Sequence, residues 1–137
     1  MLSHWRPIAL AAGLIVAGGL AASANADGDA VKGASSFSVC KACHRIGADA
    51  RNSVGPELNG VVGRKAASLP DYSYSSALKA SGITWDEAKL TAWLHSPRAL
   101  VPGTKMTFAG ISKDENIANI IAYLKTFDAQ GKTVAAK

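Results

Sequence analysis

Cys40-Lys41-Ala42-Cys43-His44 constrains this chain more than any other stretch, because its two cysteines are the only two among 137 residues. A pair three residues apart, followed directly by histidine, is the spacing that attaches a haem covalently. At i and i+3 the thiols lie on one side of a helical turn, placed to add to the two vinyl groups of one porphyrin as thioethers. His44 then points its imidazole at the iron from the face that the cysteines fix. Three other uses of the pair fit less well. A Cys40–Cys43 disulfide closes a tiny, strained loop. A thioredoxin-like redox pair wants a βαβ context that the sequence does not offer. Zinc needs two further ligands, and His95 is the only other histidine after residue 26.

The first 26 residues read as an address. Arg6 precedes an apolar run from Ile8 to Leu20, and small residues then end in Ala24-Asn25-Ala26, an A-x-A cleavage pattern. A retained membrane anchor is the alternative, but that run of 13 residues falls short of the ~20 that a spanning helix needs. The expectation is a secretory signal peptide over 1–26, cut before Asp27, and a monohaem domain over 27–137. Cleavage removes one positive side chain, Arg6, and takes the formal charge from +5 to +4 over 111 residues. At 48% apolar and 18% charged, the chain is too apolar for a disordered segment. It is also too short for a large multi-domain enzyme. A domain of this size buries only about two-thirds of its unfolded surface, so a large apolar cofactor would supplement its core.

Hydrophobic spacing predicts helices and little strand. Asp29 is a candidate N-cap for a helix with Val31, Ala34, Phe37 and Ser38 on one face, leading to Cys40. From Gly47 to Pro70 a Gly-, Ser- and Pro-rich run has no sustained period and reads as a long functional loop. Ser75 to Ser81 suits a short helix ended by Gly82. Thr84 is a candidate cap for a helix carrying Leu90, Trp93 and Leu94 at i, i+3, i+4. Ser96-Pro97 opens another short turn. Ser112 with Glu115 has capping-box spacing, and Ile117, Ile120, Ile121, Leu124 and Phe127 mark one face of a last helix running to Phe127. The tail after Gln130 is expected to fray. Several helices joined by irregular loops make a poor core unless something sits in their middle.

The second axial position separates an electron carrier from a catalyst. Met106 is the only methionine after Met1, and it lies on the turn Val101-Pro102-Gly103-Thr104-Lys105-Met106. On spacing alone it serves equally as a gap-filling core side chain or as a ligand. Given a haem with no better partner, it is the expected ligand opposite His44. A thioether raises the reduction potential, and filling both axial positions leaves no site for a substrate or O₂. An apolar slot between His44 and Met106 is therefore expected in the folded chain.

From about Gly33 to Phe127 the sequence resembles class I cytochrome c, in particular the soluble bacterial proteins most similar to the mitochondrial one. The likeness is carried by Cys40-x-x-Cys43-His44, Gly55-Pro56, Leu58-x-Gly60, Gly63-Arg64-Lys65, Gly82-Ile83-Thr84-Trp85 and Pro102-Gly103-Thr104-Lys105-Met106-x-Phe108. It implies an all-α cytochrome c fold, three main helices plus short helices and long loops around one haem c. It implies that the Pro56 carbonyl accepts from His44 Nδ1–H, and that Arg64, Tyr74, Trp85 and Thr104 hydrogen-bond the haem propionates. Gly33 and Phe37 match the crossing of the first helix with the last, opposite Ile120 and Tyr123. Leu58, Leu94, Phe108 and Leu124 match haem-packing positions. Trp93 and Leu78 depart from the mitochondrial pattern, replacing a tyrosine and an asparagine in the polar network on the methionine side.

Lys41, Lys65, Lys79, Lys105 and Lys113 fall in segments expected around the exposed haem edge, where a positive field would steer encounter with acidic redox proteins. The expected partners are a membrane cytochrome complex and a terminal oxidase, reductase or photosynthetic reaction centre, met transiently at the membrane surface by a periplasmic monomer. Basic residues do not interleave with aromatics in the manner of a nucleic-acid site. The competing class is a haem enzyme or gas sensor in which Met106 leaves the iron. Peroxidase-like chemistry needs a distal acid–base group, and His95 is the only candidate histidine. The expectation is a carrier, not an enzyme.

Overall fold

Unpaired backbone N–H groups at a helix start must find an acceptor, and short polar side chains decide here where most helices begin. The computed structural model describes residues 27–135, so the signal-peptide expectation over 1–26 lies outside the described residues. Asp29 accepts from the Val31 and Lys32 amides and starts α1 (Ala30–Ser36). The chain tightens at Phe37–Ala42 into a 3₁₀ turn that carries Cys40. Ser75 caps α2 (Ser76–Ala80), and Ser96 caps α4 (Pro97–Leu100), with Pro97 in its first turn.

Two expected caps move. α3 (Glu87–His95) begins from Asp86, whose carboxylate accepts from Lys89 N. Thr84 is instead taken up by an antiparallel bridge to Lys65, which fixes its backbone as extended. α5 (Asp114–Leu124) begins from Lys113 with no side-chain cap. Ser112 stands one residue too early to close a box, and Asp114 and Glu115 in the first turn supply the negative charge that favours a helix start. That helix also ends at Leu124 rather than Phe127. Among the described residues, the extended structure consists of two isolated bridges.

The core forms where α5 crosses α1. Phe37, Ile117, Ile120, Ile121 and Leu124 are buried there, and the Phe37 and Tyr123 rings lie 5.3 Å apart. At the crossing the backbones nearly touch: a Cβ on Gly33 would stand 1.9 Å from the Asn119 carbonyl oxygen. Asn119 itself is buried, and its Oδ1 accepts from Asp29 N at 2.7 Å, which ties the head of α1 to α5. Val31 does not share this face; it is 80% exposed, because the crossing at Gly33 turns it outward.

Over its described residues, 131–135, the tail does not fray as expected, and the last two positions lie outside the described residues. Val134 N donates to Thr126 O at 2.8 Å and Asp128 N to Lys132 O at 3.0 Å, with a bridge between Phe127 and Thr133. Gly131 is buried so close to Gly47 that an added Cβ would lie 2.1 Å from its carbonyl oxygen. Gly47 is held in turn by buried Asn59, whose amide accepts from Gly47 N at 2.7 Å and donates to Gly47 O at 3.0 Å. The final turn thus braces the 47–60 loop.

Candidate haem site

A cavity of about 400 Å³ occupies the middle of the chain, within the ~300–1,000 Å³ typical of cofactor sites. Both thiols, His44 and Met106 line it, as do Pro56, Arg64, Tyr74, Trp85 and Thr104. Leu58, Leu78, Trp93, Leu94, Phe108 and Leu124 supply much of the apolar wall. The slot expected between His44 and Met106 is therefore present. Cys40 and Cys43 are both free thiols. His44 N and Cys43 N donate to Cys40 O at 2.8 and 3.0 Å, a tight turn that keeps the two sulfurs and the imidazole together.

The tautomer of His44 follows from its partner. The Pro56 carbonyl, 2.7 Å from Nδ1, can only accept, so Nδ1 carries the proton and Nε2 keeps a lone pair for a metal. Burial lowers the His44 pKa and so favours this neutral form; the Pro56 bond raises it and the Arg64 charge lowers it further. The ring also packs against Gly55, where a Cβ would lie 2.5 Å from Cε1, so a side chain there would turn the imidazole. Burial likewise raises the Cys40 thiol, with Cys43 adding to the effect.

Met106 rides a loop fastened at both ends. Val101 N donates to Pro97 O at 2.9 Å and Ile111 N to Leu94 O at 2.8 Å. Between them Met106 N donates to Thr104 Oγ1 at 3.2 Å, and Lys105 Nζ reaches the Ser73 carbonyl at 3.2 Å. Trp93 and Trp85, both buried, pack with ring centroids 5.0 Å apart on the wall of the cavity. Leu78 is buried too, so the two departures place apolar bulk where the mitochondrial pattern has polar groups.

The residues expected at the propionates are brought together, with one qualification of role. Arg64 already donates to Asn59 O and Glu57 O, each at 3.0 Å, so toward the cavity it offers mainly its charge. Tyr74 accepts from Leu69 N at 3.4 Å, which leaves its O–H as a donor. His95 is not among the cavity-lining residues; its Nε2 lies 2.7 Å from Asp114 Oδ1 at the surface. Asn59 and Glu57 were not singled out from sequence. Their only signal is an acid and an amide two residues apart in a Gly- and Pro-rich loop.

The donor set fits a covalently held haem: two unpaired thiols, an imidazole with a free Nε2, a thioether on a separate loop, and a largely apolar wall. At the mouth, exposed Val39 (63%) and Val54 (72%) lie among the lining residues with Lys65 and Lys105, both exposed.

Comparison with known proteins agrees with this geometry. The family model described as cytochrome c matches residues 30–128. Cytochrome c-550 of Nitrobacter winogradskyi is 52% identical over 108 residues, 79% of this chain and 99% of the relative. Cytochrome c2 of Rhodomicrobium vannielii is 51% identical over 109 residues, 80% and 87% of the two chains. Among solved structures, cytochrome cH from Methylobacterium extorquens aligns at a TM-score of 0.68 with 53% identity, covering 72% of this chain and 99% of the other.

Proposed function

The chain belongs to the cytochrome c family and is an electron carrier with covalent haem c; from that premise we propose that His44 and Met106 are the axial ligands and that the protein shuttles single electrons between membrane redox complexes in the periplasm. The observation that carries the ligand assignment is the shared cavity: His44 and Met106 reach it from separate segments, and Pro56 fixes which imidazole nitrogen is free. Bound haem c supplies a one-electron couple whose potential thioether ligation raises.

The chain's own residues set the conditions for that couple. Cys40 and Cys43 would hold the group in place through thioethers, and Pro56 keeps Nδ1 protonated. Trp93, Leu94, Leu78 and Leu124 exclude water, which disfavours the more highly charged oxidised state. Loops tied at both ends hold His44 and Met106 with little room to move between oxidation states. Tyr74, Trp85 and Thr104, which line the cavity, would donate to propionates, with Arg64 supplying charge.

In the purified, oxidised protein the expected signature is the weak long-wavelength Met–Fe(III) charge-transfer band, without a high-spin signal. Its absence at neutral pH would remove Met106 from the iron and favour an enzyme or sensor.

The rim suggests how partners are met. Val39 and Val54 offer an apolar contact beside the Lys65 and Lys105 charges, a pattern suited to brief docking on acidic redox proteins. Steering of this kind is screened beyond about 8 Å at physiological salt. Stopped-flow association rates with an acidic partner are therefore expected to fall severalfold or more between low and high ionic strength. A flat salt profile would exclude the charged rim as the docking surface. Export is supported by the leader-like first 26 residues.

A further inference from the structure

Four charge pairs are present among the described residues, and three are exposed on at least one side. The fourth, Arg64 with Glu57, leaves only 17% of each side chain accessible. Exposed pairs are screened and contribute little, whereas a shielded pair sets a persistent local field.

Its geometry is asymmetric about the cavity. Arg64 is on the wall and Glu57 is not, so the carboxylate stands behind the guanidinium. Glu57 Oε1 lies 3.4 Å from Arg64 Nη1, and Glu57 Oε2 accepts from Asn59 N at 2.6 Å. Arg64 Nη1 and Nη2 donate to the Asn59 and Glu57 carbonyls, while Glu57 N donates to Asn52 Oδ1 at 2.9 Å. Every bond that positions this carboxylate comes from the 52–64 segment, which also carries Pro56. Both charges are felt across the wall. Burial raises the Tyr74 phenol; among the smaller influences, Arg64 pulls it down and Glu57 pushes it up.

We propose that Glu57 is a fixed counter-charge that partly cancels the field of Arg64 at the haem and so lowers the reduction potential. Oxidised iron carries one more positive charge than reduced iron, so a carboxylate behind the wall favours the oxidised state and the guanidinium on the wall opposes it. Nothing in this depends on which side chain caps the iron opposite His44; it rests on the haem alone.

The test is the holoprotein carrying Glu57→Gln, which keeps one side-chain oxygen for the short bond from Asn59 N, gives up the longer contact with Arg64 and removes one charge. Its equilibrium midpoint potential is expected to rise, with a shift of up to about tenfold in the oxidised-to-reduced ratio, 59 mV for one electron. The rise should persist at high salt, because the pair is shielded, and the visible and long-wavelength bands should match wild type. Glu57→Asp keeps the charge and should hold the midpoint near wild type. Three results would overturn the proposal: no rise in the Gln variant, an equal rise in the Asp variant, or a rise accompanied by a change from wild type in the visible and long-wavelength bands. The second would make the effect one of loop geometry, and the third would make it a change of ligand.

Discussion

Replacing Met106 with alanine is expected to lower the midpoint potential by on the order of a few hundred millivolts, a large share of the ~0.8 V over which axial ligation tunes haem proteins. A soft thioether stabilises the reduced iron, and alanine leaves that position to water or hydroxide. The fold should survive, because the loop is anchored by Val101 N to Pro97 O and Ile111 N to Leu94 O, not by the methionine side chain. Two measurements check this: potentiometric titration, and binding of carbon monoxide to the reduced form or cyanide to the oxidised form. The variant should take up these ligands readily where wild type resists them. An unchanged potential with continued resistance would show that Met106 is a packing residue and that another group holds the position.

The second large effect is on stability. Gly33→Ala places a methyl group 1.9 Å from the Asn119 carbonyl oxygen and 2.8 Å from Tyr123 Cβ. One contact is helix backbone, so the clash cannot be relieved by rotating a side chain; α1 and α5 must separate. Overpacking costs about 1–3 kcal/mol in cores that can adjust, and here about 3 kcal/mol or more is expected. At roughly 4–8 °C of melting temperature per kcal/mol for a domain of this size, thermal unfolding of the holoprotein would register it plainly. Ser35→Ala, on the exposed side of the same helix, is the control and should change stability by no more than about 0.5 kcal/mol. Equal midpoints for the two variants would mean that the crossing relaxes without strain.

Much of the fold was legible where the physics is local. Asp29 and Ser96 announced their helices because a short polar side chain can satisfy amides two or three residues on. The stripe of Ile117, Ile120, Ile121 and Leu124 announced the buried face of α5. Cys40-x-x-Cys43-His44 and Met106 were legible because few chemistries use those residues together, and the cavity brings them together. What sequence misplaced depends on distant contacts. Thr84 has the chemistry of a cap, but its bridge to Lys65 takes the backbone elsewhere and leaves the role to Asp86. Val31 fits a helical stripe, yet the crossing at Gly33 decides which side faces the core. The tail reads as small and polar, and only the fold shows Gly131 pressed against Gly47. Glu57 belongs to the same class: its pairing with Arg64 arises from a loop conformation that carries no periodic signal.

The bond from Asp29 N to Asn119 Oδ1 spans 90 positions, and the stretch just after His44 is likewise braced from far along the chain, at Gly131. Contacts so remote along the chain form slowly, because their closure entropy must be met before they give anything back. A polypeptide emerging amino end first therefore presents its thiols while the segments that will later bury them are still being delivered. Those sulfurs stay reachable until the last helix arrives, and maturation has its interval before the native state shuts.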